Sequence, residues 1–574
     1  MAHFHIKKKK GRPYLYVREI ARVDGKPKVI SQVYVGSPQK VAALARGEGG
    51  GDVKLKVEEF GSLWLAAQID REVDLAKIVD KVIPGSGRET GPSVGEYFLY
   101  AVLNRMVDAT SKNRLPGWYK RTAIQQIRTV SIGELTSQRY WEKWDRVSEA
   151  DLELVAAEFF RRVTQIAAPG ADCLLFDTTN YYTFMSSATS SELARRGKNK
   201  AGRHNLRQVG LALLVERGLR LPLYYHVYPG NLHDSRLFAQ VMEEMFGRVM
   251  EIGATKERLT VIIDKGMNSE ANYAWIDEHR RLHFITTYST YFAPELAHTP
   301  LDRFEPVDIE KNRRLSAAGS PDERILAWRT RGKFWGQERA VVVTYNPATA
   351  RKQAHALESK LDEMRAELLI MRAKVREGAP HWRHPEKIRE RYQSHCERLH
   401  LPSDLFALEF AGGKETLRMS FRQDAYALKK KRSTFGKNII VTDNSDWSTA
   451  EIVEASLDRW QVEERFKASK DDQLVGAQPF RHWTDPKIRC HLFTCVAAMT
   501  YLRLIELKLA AAGVTRTAAD VMDEMRHLHS VLMLAGGARK PRRRLETPTK
   551  TQAEVLRAFG HHVDKGGVLQ PLGG

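Results

Sequence analysis

Cysteine is scarce. The 574 residues contain only Cys173, Cys396, Cys490 and Cys495. With no C-x-x-C pair, they exclude a disulfide scaffold and a zinc module of ordinary spacing. Cys490 and Cys495 fall in an apolar helical run and read as core thiols, which suits a reducing interior. No apolar run reaches the roughly 18 residues of a membrane-spanning helix. The basic start MAHFHIKKKK is not followed by an apolar stretch, so it does not read as a signal peptide. A Walker A loop is missing as well, because Gly413-Lys414-Glu415-Thr416 has Leu408 where the first glycine belongs. Acidic residues are outnumbered, 70 against 91 Lys and Arg, for a net charge of +21. That surplus calls for a polyanionic partner. Nucleic acid comes before a membrane surface, because no amphipathic anchor accompanies the charge.

What is present reads as several domains. Residues 13–35 alternate on both sides of Asp24-Gly25, a hairpin signal, with Lys7–Lys10 as a basic arm before it. Glycines at 47–51 mark a break. Residues 58–166 have helical spacing. Within them Lys112, Arg114, Lys120, Arg121, Arg128 and Arg139 are interleaved with Trp118, Tyr140, Trp141 and Trp144. That mixture suits a helical DNA-binding region, or else a solvated face over an aromatic core. From 170 the pattern runs three strands, helix, strand, helix, strand, which is an α/β layered domain. Leu357, Leu361, Met364, Leu368, Met371 and Val375 form a three-heptad seam that Ile388, Tyr392 and Leu399 continue. The seam fits an intramolecular helical hairpin or a dimer contact. Arg539, Lys540 and Arg542–Arg544 make a late basic cluster, and the Gly-rich stretch from Gly566 is expected to be mobile.

Residues 449–470 are expected to form one long helix. Placed at about 100° per residue, Glu454, Asp458, Gln461, Arg465 and Ser469 form a polar solvent face. Val453, Leu457 and Trp460 flank it on one side, Val462 and Phe466 on the other. Between these flanks runs a second polar stripe of Ser456, Arg459, Glu463 and Lys470. It reads either as a structural Arg459–Glu463 ion pair or as a face that lines a charged cleft. Two more carboxylates invite the second reading. Asp177 lies within the apolar strand CLLFDTTNYYTF, where an aspartate is disfavoured unless something binds it. Asp264 ends LTVIID, and acids at strand C-termini point into ligand crevices. Three converging carboxylates stay ionised only beside a cation. Oxygen-only ligation selects Mg²⁺ or Mn²⁺, and a pair of such ions suits phosphodiester displacement.

These blocks resemble bacterial insertion-sequence transposases of the DDE type, on an RNase-H-like fold. More narrowly they look like the group with a Y-x2-R-x3-E-x6-K signature. Here that signature reads Ser456, Arg459, Glu463 and Lys470, with serine in place of tyrosine. The acidic blocks LLFDTTNYYTF and VIIDKGMNS, and the stretch GKNKAGRHNLRQVGLALLV…HVYPGNLHDSRLF between them, also look like the family's. The resemblance implies that Asp177, Asp264 and Glu463 hold two Mg²⁺ or Mn²⁺ ions and that Arg459, Lys470 and Ser456 contact DNA phosphates. It implies metal-dependent cleavage at terminal inverted repeats, then transfer of the freed 3′-hydroxyl to target DNA without ATP.

The domain organisation it implies is a basic arm and hairpin at 1–57, a helical DNA-binding region at 58–166 and the first part of the core at 167–290. A β-rich and helical insertion at 291–435 follows, then the second part of the core at 436–515 and a basic C-terminal region at 516–574. Lys112, Arg114, Lys120, Arg121 and Arg139 are the further DNA-contact candidates. Trp328 and Trp335 are either packed in the core, the more ordinary reading, or candidates for stacking on a flipped base. A homodimer in the bacterial cytoplasm, at the nucleoid, is the expected assembly. The alternatives are a metal-dependent nuclease without strand transfer and a catalytically inactive DNA-binding protein.

Overall fold

The apolar, β-branched runs between Cys173 and Thr442 become strands of one mixed sheet. The structure, a computed structural model, describes residues 2–9, 12–23, 26–39, 42, 54–85, 91–128, 130, 132–170, 172–186, 189–197, 202, 205–232, 234–251, 258–479, 481–534 and 542–572. The Asp24-Gly25 turn, the glycines at 47–51, Lys10, Arg539 and Lys540 lie outside the described residues.

The main strands are β1 (Cys173–Thr183), β2 (Arg207–Glu216), β3 (Pro222–Pro229), β4 (Leu259–Ile263), β5 (Leu282–Tyr288), β6 (Leu326–Phe334), β7 (Gln337–Tyr345) and β8 (Lys437–Thr442). Their order is β6-β7-β8-β5-β4-β1-β2, with β3 also on β2 and short two-residue strands at both edges. The centre is parallel, β5-β4-β1, and every other neighbour is antiparallel. The two parallel steps need crossovers, and the helices Asp234–Glu251 and Glu270–Glu278 stand in those connections.

The helix Asp485–Ala511 is apolar nearly all round, which requires burial on all sides. It packs against the helices Gly61–Val73, Val94–Val107 and Glu149–Ala167, the strand β3 and the helix Trp460–Lys470. The N-terminal helices therefore share the sheet's core. Chain ends are knitted in too, since Lys54–Glu59 pairs with His529–Leu534, which pairs with Arg542–Leu545. Cys490 and Cys495 are buried in this core.

Four expectations need correction. First, β6 and β7 fall in the stretch expected to be an insertion, yet they extend the main sheet, because Val341, Val342 and Val343 pair with Ile439–Val441 of β8. What stands apart is 347–435. There the helices Pro347–Arg376 and Pro385–Leu399 close their heptad seam on each other and on the hairpin Phe406–Ala411/Arg418–Gln423, forming a second core. The seam is thus spent within the chain. Second, Lys7–Lys9 belong to a third strand, Ala2–Lys9, rather than to a free arm. Third, the Gly-rich end forms a hairpin, His561–Val563 with Leu569–Pro571. Fourth, residues 449–470 are two helices, Thr449–Leu457 and Trp460–Lys470.

Candidate active site

Register brings two of the acids together. In the parallel pair β1/β4, Leu175 stands opposite Ile262. Asp177 and Asp264 each lie two residues further on. Asp264 keeps extended backbone, φ −78° and ψ 151°. A step of two residues preserves the face, so both carboxylates leave the same side of the sheet from neighbouring strands, about 4.8 Å apart. Asp177 is buried, 8% exposed, and accepts a hydrogen bond from the Thr178 amide at 2.8 Å.

The third acid comes from the helix Trp460–Lys470, which lies along β1. Lys470 Nζ donates to Thr179 Oγ1 at 2.7 Å, and Ser469 Oγ and the Tyr181 hydroxyl are 2.6 Å apart. Asp177, Thr179 and Tyr181 alternate along one face of β1, and the last two meet the end of the helix. Arg459, just before the helix, donates Nη1 to Asp264 Oδ1 and Nη2 to Glu463 Oε1, the latter at 3.1 Å. Burial works against its charge, but Asp264 and Asp177 with the two hydrogen bonds outweigh that and raise its pKa. A guanidinium therefore sits between Asp264 and Glu463 and within the field of Asp177.

The break at Asp458–Arg459 overturns the single helical wheel. Both residues stay near the right-handed region, with ψ of −5° and −25°, and the chain resumes as a separate helix at Trp460. Gln461, Arg465 and Ser469, expected on the solvent face, are buried. Leu457 and Trp460, expected to be covered, are exposed, and Arg220 lies 4.6 Å from the Trp460 ring. Asp458 is held instead by Arg217 at 2.7 Å. Ser456 lies in the last turn of the first helix, half-buried. Thr179, Tyr181 and Arg217 escaped the sequence reading. The alternation of Asp177, Thr179 and Tyr181 was the available signal for two of them.

The other expected contacts scatter. Lys112 is 4% exposed and lies beneath the surface rather than on it. Arg114 and Lys120 are exposed. Arg121 is paired with Asp108 at 2.7 Å, and Arg139 with Glu142 at 3.3 Å and Glu134 at 3.7 Å. Trp335 occupies the β6–β7 turn with φ 48°, beside Gly336 at 79°. One of its faces is stacked on Tyr273, centroids 3.7 Å apart. Trp328 is half-buried, with Arg303 5.7 Å from its ring. Of the late cluster, Arg543 is paired with buried Glu58, while Arg542 and Arg544 face solvent.

Residues 169–501 match the family described as Transposase DDE domain, well over half the chain and a span that holds all three acids. The chain belongs to the DDE transposase family. No curated protein matches it. A solved piggyBac transposase synaptic complex with hairpin DNA aligns over 82% of this chain and 82% of that chain, with a TM-score of 0.37 and 8% sequence identity.

Among the described residues of this transposase, no three His, Cys, Asp or Glu side chains are gathered closely enough to hold an ion as they stand. The Arg459 guanidinium bridges Asp264 and Glu463. The donor set itself is all oxygen, which suits Mg²⁺ or Mn²⁺. No helix among the described residues is long and apolar enough to cross a membrane.

Proposed function

We propose that this DDE transposase cleaves DNA at the ends of its own insertion element and joins the freed 3′ ends to target DNA. We assign it to the bacterial insertion-sequence group with the Y-R-E-K signature, with Asp177, Asp264 and Glu463 as the acids that hold Mg²⁺ or Mn²⁺. The observation that carries this is Arg459 reaching Asp264 and Glu463 in the field of Asp177. Three acids distant in sequence share one counter-charge.

Divalent ions held there would activate a water or hydroxyl and steady the leaving oxygen of a phosphodiester. The chain's own groups supply the rest. Arg459 bridges Asp264 and Glu463 in the absence of substrate. Once drawn off them, it offers a planar fork to a DNA phosphate. Lys470, hydrogen-bonded to Thr179, provides a second phosphate contact, and Ser456 donates a third. The basic surplus supplies the long-range attraction to DNA. The acting assembly is a homodimer on paired element ends, at the nucleoid.

The test is the amide series Asp177→Asn, Asp264→Asn and Glu463→Gln, assayed on the element's terminal repeats with Mg²⁺. Each change should abolish cleavage while leaving DNA binding in place. Cleavage that survives all three changes refutes the assignment. With precleaved ends the unaltered protein should yield joined target DNA, and products without joining would make it a nuclease.

A further inference from the structure

A second concentration of charge lies apart from the three acids, where the helix Val94–Val107 meets the segment that follows Lys470. A cavity of about 590 Å³ is found there. Arg105 and Lys112 line its inner wall, and Arg114 and Arg481 stand exposed at its edge. Asp472 is the one carboxylate among its lining residues. His482 and His491 complete the inner wall, with ring centroids 4.8 Å apart.

Two of the inner cations carry nitrogen atoms without an acceptor among the described residues. Lys112 is 4% exposed, and its ammonium makes no hydrogen bond among the described residues. It lies over the rings of Tyr140 and Trp144, at 5.6 and 5.1 Å. Arg105 is 6% exposed and donates only to the carbonyls of Thr110, Val475 and Gly476, with no carboxylate in hydrogen-bond contact and Asp472 the one carboxylate acting on it through space, and its Nε has no acceptor. His482 is buried, with Nδ1 likewise unpartnered. Buried polar groups are nearly always satisfied, and an aromatic face offsets only part of the cost of a buried amine. Water could accept from each donor, but it would leave the charge imbalance standing. A tetrahedral oxyanion answers both needs, because its several oxygens accept from donors converging from different elements.

We infer that this cavity is a binding site for a phosphate group, with Lys112 and Arg105 as inner donors and Arg114 and Arg481 at the mouth. It does not rest on the catalytic reading, because the site shares no residue with the three acids. The phosphate is either one of the DNA backbone or a free phosphate ion, and the chemistry of recognition is the same.

The test is thermal unfolding of the full chain in inorganic phosphate against chloride at matched ionic strength. The unaltered protein should melt higher in phosphate. Lys112→Met keeps the volume, removes the unpartnered amine, and should melt at least as high as the unaltered protein in chloride while losing the gain from phosphate. Arg114→Gln, at an exposed position that does not threaten folding, should weaken the phosphate response about tenfold. Equal melting in the two salts, or a gain that both variants retain, overturns the inference. A DNA-binding competition separates the sources. Phosphate that displaces DNA from the unaltered protein but not from K112M identifies a backbone phosphate. Stabilisation without any effect on DNA identifies the free ion.

Discussion

Replacing Arg459 with methionine isolates the idea that the three acids share one counter-charge. The variant keeps the stem's packing but leaves Asp264 and Glu463 without their bridge. Two unit charges at 4 Å interact by about 4 kcal/mol at an effective dielectric constant of 20. Removing one partner of a fully buried pair costs about 3–5 kcal/mol. Here the side chains are partly wet, with Arg459 25%, Asp264 27% and Glu463 45% exposed. Solvent screening brings the expected loss to about 2 kcal/mol. Calorimetric unfolding of the main core in EDTA should show that loss. A divalent ion present at about ten times its dissociation constant would return about 1.4 kcal/mol. Mg²⁺ should therefore rescue most of the deficit in Arg459→Met, and it should stabilise the unaltered protein less, because there the guanidinium must first be displaced. Equal stabilisation of both proteins by Mg²⁺, or of neither, refutes the reasoning.

Lys470→Met should lower DNA affinity evenly across sequences and reduce the salt slope by about one, as read from binding isotherms at several salt concentrations, with little change in melting. Trp335→Ala removes the ring stacked on Tyr273 and should cost about 2–3 kcal/mol of stability while leaving the DNA affinity of the folded protein intact. Burial holds His482 and His491 well below their ordinary pKa. The unfolded chain therefore binds the extra protons, and stability present above pH about 6.5 is lost below it, by about 1.4 kcal/mol per pH unit for each histidine. Melting temperatures between pH 7 and pH 5 should fall accordingly, and His482→Gln should flatten the fall.

Asp177 and Asp264 could be found in the sequence because an acid within or ending an apolar strand is costly unless something binds it. Pairing between β1 and β4 then levels them without further information. Glu463 was visible only through its spacing from Arg459 and Lys470. The helix break before it was not visible, because Leu457-Asp458-Arg459 contains neither proline nor glycine to announce a turn. Local periodicity consequently misassigned Gln461, Arg465 and Ser469 to solvent. The burial of Lys112 was hidden for a related reason. Its neighbours Arg114 and Lys120 are exposed, and nothing local reveals that Tyr140 and Trp144 close over it. The strands β6 and β7 were recognisable as strands, but their membership of the main sheet depends on pairing with β8, almost a hundred residues away.

The excursion 347–435 departs after Tyr345 and returns at Lys437, and these two residues face each other across β7 and β8. Exit and re-entry are therefore separated by a single inter-strand spacing, roughly 5 Å, and the excursion carries its own interior. Such a doorway tolerates traffic. Lineages could enlarge, trim or exchange what hangs from it while Asp264 and Glu463 keep their separation, so this appendage is free to diversify around chemistry that stays fixed.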